Sequence, residues 1–174
     1  MQEFLELTRK LGRAAAILDM VEVKHCHALK LTTNQKHSFI LYNSARLENL
    51  LNTFNDKVRE NYYPELVPPT EINLGLLTEK SEWELLKHLL ILPDIIEKSL
   101  SEMTNGQIAL HALYKYLVAF VNTFSAYYSR KKILIENRPH LIATIHAKIY
   151  LLKAIQRALN LVLEIFDIEP VLFM

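Results

Sequence analysis

The chain has 174 residues, enough for one domain with a sizeable core, and 51% of them are hydrophobic. Glycine is scarce at three and the formal net charge is +1, which argues against a turn-rich β fold and against a uniformly basic nucleic-acid binder. A lone Cys26 excludes an internal disulfide, the N-terminal Glu3 is wrong for a signal peptide, and no apolar run is long enough to span a bilayer; the expectation is a soluble cytoplasmic protein.

Phe4, Leu7, Leu11, Ala14 and Leu18 recur at gaps of three and four, which predicts a helix from Gln2 to about Asp19. The period then changes. From Val21 to Leu31 apolar and polar residues alternate, which predicts a short strand or extended segment with no obvious partner. Thr32-Thr33-Asn34-Gln35 follows as a polar stop with N-cap chemistry. From Lys36 to about Glu60, Ile40, Leu47, Leu50, Leu51, Phe54 and Val58 share one helical arc.

Tyr63-Pro64 and Pro68-Pro69 place a non-helical loop next, since a residue before proline is pushed to extended geometry. A helix is expected from Glu79 to Ile91 with Trp83, Leu86 and Leu90 inward. Pro93 is expected to break it and open another, Pro93 to Glu102, anchored by Ile96 and Leu100. Thr104 and Gln107 fit a capping box for a helix running to about Arg130, with Leu113, Leu117, Phe120, Phe124 and Tyr127 along its core side.

Arg138-Pro139-His140 opens the last and most hydrophobic helix, which with a short apolar tail reaches Met174. Its polar strip is narrow: His146, Lys153, Arg157, Asn160 and Glu164. A helix so apolar must be covered by others, so this one is expected to be the hub of the bundle. Lys148 falls inside its apolar sector. A buried cation is costly unless paired, so Lys148 is expected to meet a carboxylate or backbone carbonyls, or to snorkel outward.

No catalytic site is expected. There is no glycine-rich phosphate loop, GxSxG elbow or HExxH. His25 and His27 would share one side of a strand, with His37 as a third donor, but no ligand pattern completes a metal site and a polar-edged strand is the better reading. Glu79, Glu82 and Glu84 sit where carboxylates favour the positive end of a helix.

Two surface constellations suit contact with RNA. Tyr42, Arg46, Asn49 and Thr53 form one stripe on the second helix, offering stacking, charge and amide groups suited to single-stranded RNA, although the same spacing describes an ordinary solvated face. Tyr127, Tyr128, Arg130, Lys131 and Lys132 end a helix, with Arg138 and His140 shortly after. Cations in a last turn also simply complement the helix dipole, but this is the densest basic feature in a near-neutral chain.

Several segments, in order, resemble the DALR anticodon-binding domain, the all-helical C-terminal module of arginyl-tRNA synthetases. They are Phe39 to Leu47 (an aromatic-x-x-Tyr-x-x-Ala-Arg pattern), Leu92-Pro93-Asp94-Ile95-Ile96, Phe124-Ser125-Ala126-Tyr127-Tyr128 with Ile133-Leu134, and Lys148 to Ala154 with its tail. Departures are Leu41 and Ser44 where the family often has Gln and His, Ser125 for Asn, Lys148 for Arg, and Val162 and Asp167 for Gly. Tyr42 to Leu47, Glu82-Trp83, the Tyr-Tyr pair and Arg138 to Leu141 look particularly like the animal DALR anticodon-binding domain-containing proteins that are not synthetases. Neither a HIGH-like nor a KMSK-like signature is present.

The resemblance implies an all-α helical bundle of the class I synthetase anticodon-binding type. Residues 36–174 would form the domain, and residues 1–35 a linker or the edge of an upstream domain, the chain being a piece of a longer protein. It also implies a non-catalytic, cofactor-free module that recognises arginine tRNA and presents it to a partner tRNA methyltransferase making 3-methylcytidine. The tRNA contacts would be Tyr42, Arg46, Asn49, Tyr128, Arg130, Lys131, Lys132, Arg138 and His140. Two alternatives stand beside it: the appended domain of an arginyl-tRNA synthetase, and a helical protein-interaction module, favoured by near-neutral charge and the apolar Leu172-Phe173.

Overall fold

The computed structural model describes residues 2–24, 27–28, 35–101 and 109–170, and among them every regular element is helical. The five α-helices are α1 (Gln2–Glu22), α2 (Gln35–Arg59), α3 (Lys80–Ser101), α4 (Leu110–Arg130) and α5 (Pro139–Ile165), with single 3₁₀ turns at Pro69–Glu71 and Leu74–Leu76. The expected polar stop at 32–34, the Thr104–Gln107 capping box and the tail beyond Pro170 lie outside the described residues.

The expected strand is corrected where it is described. Val21 and Glu22 complete α1, and the His27 N–H donates to the Lys24 carbonyl at 2.9 Å, which makes a turn rather than an extended run. Alternation over a few residues fits a helix end as well as a strand, and Val21 is buried with Ala14 and Leu18 on the helical stripe, so packing chose the helix.

Pro93 does not break the chain either: α3 runs continuously through it. Its buried face differs from the expected one. Trp83, Leu90 and Leu100, expected inward, are instead exposed (53%, 76% and 46%), while Glu82, Leu85, Leu92 and Ser99 take the buried face.

The interior belongs to α5 and α4 jointly. In α5, Ile145, Ile149, Leu152, Ile155, Leu159, Val162 and Leu163 are buried, against α2, α3 and α4. Leu161 and Ile165 remain open to solvent, so the cover of α5 is incomplete. His146, assigned to the polar strip, is buried and hydrogen-bonded to the Pro64 backbone, and burial lowers its pKa. In α4, Leu113, Leu117, Phe120, Val121, Phe124 and Tyr127 are buried, and this helix packs on all four others. Ala14 and Leu18 place α1 in the same core as the rest of the bundle.

Two helix ends turn through left-handed backbone. Asn61 (φ 57°) follows α2, with the Asn61 N–H on the Val58 carbonyl at 3.0 Å and the Tyr62 N–H on the Lys57 carbonyl at 2.8 Å. Asp167 (φ 57°) does the same after α5, with the Asp167 N–H on Glu164 and the Ile168 N–H on Leu163, both at 2.9 Å. Both are the paired-hydrogen-bond stop that most often uses glycine. The Asp167 carboxylate pairs with Arg13, tying α1 to the end of α5.

Candidate nucleic-acid interface

The proline loop between α2 and α3 is anchored by tyrosines. The Tyr63 hydroxyl donates to the Ile135 carbonyl and its ring stacks on Phe54 at 5.5 Å. The Asn137 side-chain amide donates to the Tyr62 carbonyl, and the Tyr150 hydroxyl donates to the Val67 carbonyl at 2.8 Å. These contacts hold the connector between α4 and α5 against the end of α2. Ile133 is buried there and Leu134 partly so, which gives the connector an apolar base.

A groove of about 510 Å³ opens over that base. One wall is α2, with Tyr42, Ala45, Arg46, Asn49, Leu50 and Thr53; the other is the end of α4 and the connector, with Tyr128, Lys131, Lys132, Ile133 and Leu134. The two stripes read separately in the sequence therefore face each other across one cleft. The Arg46 guanidinium carbon lies 3.7 Å from the centre of the Tyr128 ring and 5.8 Å from that of Tyr42. Stacked so, the cation is oriented without being neutralised, and its N–H donors stay available to an anion. Tyr42 is 47% exposed, a free aromatic face at the groove edge.

Not every basic residue expected here contributes equally. Lys131 donates to the Glu79 carboxylate at 2.6 Å, and this ammonium holds the Glu79 carboxyl below the usual carboxylate range, first through the hydrogen bond and then through its charge. Lys132 is exposed on the rim. Arg130 is exposed at the last turn of α4 but does not line the groove. Arg138, the N-cap of α5, and His140 are exposed outside it, and Arg138 is held by Glu136 at 2.6 Å. Arg138 and His140, which follow the Tyr127–Lys132 run closely in sequence, do not line the groove. The connector leads Arg138 away from the groove, and an acidic neighbour two residues back takes its charge.

Tyr127, beside Tyr128 in sequence, points the other way. It is buried and donates to Glu82 Oε1 at 3.2 Å; burial first, then the Glu82 charge, raises its pKa. Glu82 is fully buried. Its Oε2 accepts the Glu79 N–H at 3.1 Å, capping α3, while Oε1 also faces Lys148 Nζ at 3.5 Å. Lys148 thus has the carboxylate partner its position demanded. Sequence reasoning placed Glu82 at the helix start, but nothing in its spacing announced that it also underpins the groove wall through Tyr127. Glu79 was missed as the partner that occupies Lys131, because the two are distant in sequence.

The family described as the DALR anticodon binding domain matches residues 40–174. The chain is 29% identical over 140 residues to DALR anticodon-binding domain-containing protein 3 of Danio rerio, covering 76% of this chain and 25% of that protein. The Mus musculus protein of the same description is 30% identical over 141 residues, covering 76% and 26%. An arginine–tRNA ligase of Borrelia turicatae is 31% identical over 137 residues, covering 78% and 20%. The chain spans about a quarter of the length of the curated relatives it matches first. A crystal structure described as an arginyl-tRNA synthetase from Campylobacter jejuni superposes with a TM-score of 0.69 at 15% identity, covering 97% of this chain and 35% of that one, which shows the shared fold. With a family match spanning most of its length, the chain belongs to the DALR anticodon-binding domain family.

Proposed function

We propose that this chain is a tRNA-binding module that recognises arginine tRNA through the α2–α4 groove and has no catalytic step of its own. The observation that carries this reading is the Arg46–Tyr128 stack at 3.7 Å, which sets a cation between two aromatic rings in an open cleft. Unstacked loop bases are recognised by aromatic faces and guanidinium planes, with phosphates taken by nearby cations. In this reading Tyr42, Tyr128 and Arg46 receive bases, Asn49 supplies an amide for a base edge, and Lys132 meets the backbone, joined by Lys131 where a phosphate displaces Glu79. Arg130, Arg138 and His140 act at longer range, as a diffuse positive surface.

Its proposed role is an adaptor in the cytoplasm, presenting tRNA to a methyltransferase that makes 3-methylcytidine. Similarity to the animal DALR anticodon-binding domain-containing proteins supports it. The similarity to Borrelia arginine–tRNA ligases supports a second reading, in which the same groove serves an appended domain of a synthetase. Both readings need the groove to bind tRNA; they differ in what lies upstream. Residues 36–174 are proposed as the binding domain, with α1 packed onto it through Ala14 and Leu18.

Fluorescence anisotropy with arginine tRNA at low salt tests the common core. Binding that falls steeply with salt and favours arginine isoacceptors over other tRNAs is expected. Undetectable binding at low salt refutes the module as an RNA binder and leaves protein interaction through the exposed apolar side chains. Co-purification of a tRNA methyltransferase, or a catalytic domain encoded upstream, separates adaptor from synthetase.

A further inference from the structure

Three side chains before the family match come together where α1 and α2 meet. Asp19 and Glu22, three apart on α1, share one face of that helix. His37, in the first turns of α2, lies against them. His37 Nδ1 is 3.7 Å from Asp19 Oδ1, and His37 Nε2 is 3.7 Å from Glu22 Oε2. One donor atom from each residue lies within 4.8 Å of the others.

Burial makes this more than an acidic surface cluster. The His37 side chain is 2% exposed and the Asp19 side chain 8%. His37 Nε2 is buried with no hydrogen-bond partner. Its distance to Glu22 is too long for a hydrogen bond, and an orphaned polar nitrogen in an interior normally costs free energy. One ion can take only one imidazole nitrogen, so the set is a single His37 nitrogen with both carboxylates, the three donor atoms within 4.8 Å of one another. Zinc bonds of about 2.0–2.1 Å arranged tetrahedrally put neighbouring ligand atoms roughly 3.3–3.4 Å apart. A swing of the carboxylates toward that nitrogen by about 1 Å or more would complete the set. The Glu22 carboxylate divides its two oxygens: Oε1 faces Lys36 Nζ at 3.6 Å while Oε2 faces the histidine. An edge-to-face contact with Tyr114 at 6.0 Å between ring centres steadies the imidazole.

We propose that Asp19, Glu22 and His37 bind one divalent transition-metal ion of the zinc class, with water as the fourth ligand. Imidazole and carboxylate donors together suit such an ion better than magnesium or calcium, which prefer oxygen alone. All three ligands precede residue 40, where the family match begins. The ion therefore pins α1 onto the anticodon-binding bundle rather than serving the groove.

The test is calorimetric titration of the metal-free full chain with zinc chloride, alongside thermal melts and the visible spectrum with cobalt(II). One equivalent should bind, and zinc at about 100 times Kd should raise Tm by about 5–10 °C, with magnesium giving no shift. Cobalt(II) should give visible bands of a four-coordinate site. Asp19→Asn and His37→Gln should weaken zinc binding at least about tenfold and abolish those bands. No heat and no Tm shift with zinc overturns the proposal and leaves His37 simply packed between two carboxylates. Unchanged zinc binding in His37→Gln also overturns it, because the ion then sits on other residues. The cobalt spectrum of the unaltered chain decides the matter if a variant fails to fold.

Discussion

Lys148 and Glu82 face each other 3.5 Å apart inside the bundle, the carboxylate fully buried and the lysine side chain 17% exposed. The pair joins α5 to the start of α3, and the Tyr127 hydroxyl on the same carboxylate brings in α4. One buried charge thus links three helices.

Lys148→Met should therefore destabilise the chain strongly. It leaves Glu82 buried without its cation, a change expected to cost about 3–5 kcal/mol in urea denaturation. Adding Glu82→Gln should recover part of that loss, since two neutral side chains no longer strand a charge. A loss below about 1 kcal/mol in the single variant would show that water solvates Glu82.

Arg46→Ala should weaken binding of arginine tRNA about tenfold while leaving Tm nearly unchanged, because the side chain stacks at the groove surface rather than filling the core. Lys132→Ala should act differently. It should lower the slope of log K against log salt by about 0.7–0.9, the signature of one lost phosphate contact. Arg138→Ala, already paired with Glu136 outside the groove, should change Kd little. An Arg138→Ala effect larger than that of Arg46→Ala would move the binding surface to the start of α5.

Acid should unfold the bundle in two stages. Burial pushes the pKa of His88 and His146 below the ordinary 6.5. The folded state then stays neutral while the unfolded chain takes up protons, so stability is complete above about 6.5 and declines as pH falls from there to the folded values. Each histidine contributes a slope of at most about 1.4 kcal/mol per pH unit in that window. The Glu79 carboxyl, held down by Lys131, titrates later, so its contribution is present above about 4.5 and is lost as pH falls through its lower folded value. Denaturation midpoints measured across this range should drop in the histidine window first, and His88→Gln with His146→Gln should flatten that part of the curve.

Asn61→Gly should stabilise the chain by about 0.5–1 kcal/mol and Asn61→Ala should destabilise it by about 1 kcal/mol, because φ of 57° is free for glycine and strained for alanine. Asp167→Gly should gain less than Asn61→Gly, since relief of the same backbone strain is offset by loss of the Arg13 pair. Equilibrium denaturation of the three variants side by side would check the order.

Periodicity alone was enough for the helical class, because helices are local: α2, α4 and α5 announce themselves through gaps of three and four with clear stops. The aromatic and basic residues of the groove were also visible, Tyr42 with Arg46 on one stripe and Tyr128 with Lys131 and Lys132 on another. Periodicity failed at Pro93, where a proline reads as a break but α3 continues, and at Trp83 and Leu90, whose hydrophobicity suggested burial while the buried face of α3 runs through Glu82, Leu85 and Leu92.

What only the tertiary structure decided was which of these local features meet. Arg46 and Tyr128 lie 82 positions apart and touch because α2 and α4 pack side by side. Lys131 is taken by Glu79 and Arg138 by Glu136, so charge density along the chain overstated the free charge in the groove. His37 was paired in the sequence with His25 and His27, yet its described neighbours are Asp19 and Glu22. The physical reason is the same throughout. Secondary structure follows from neighbours a few residues away, while the charge and exposure of a site depend on partners that only packing brings within a few ångströms.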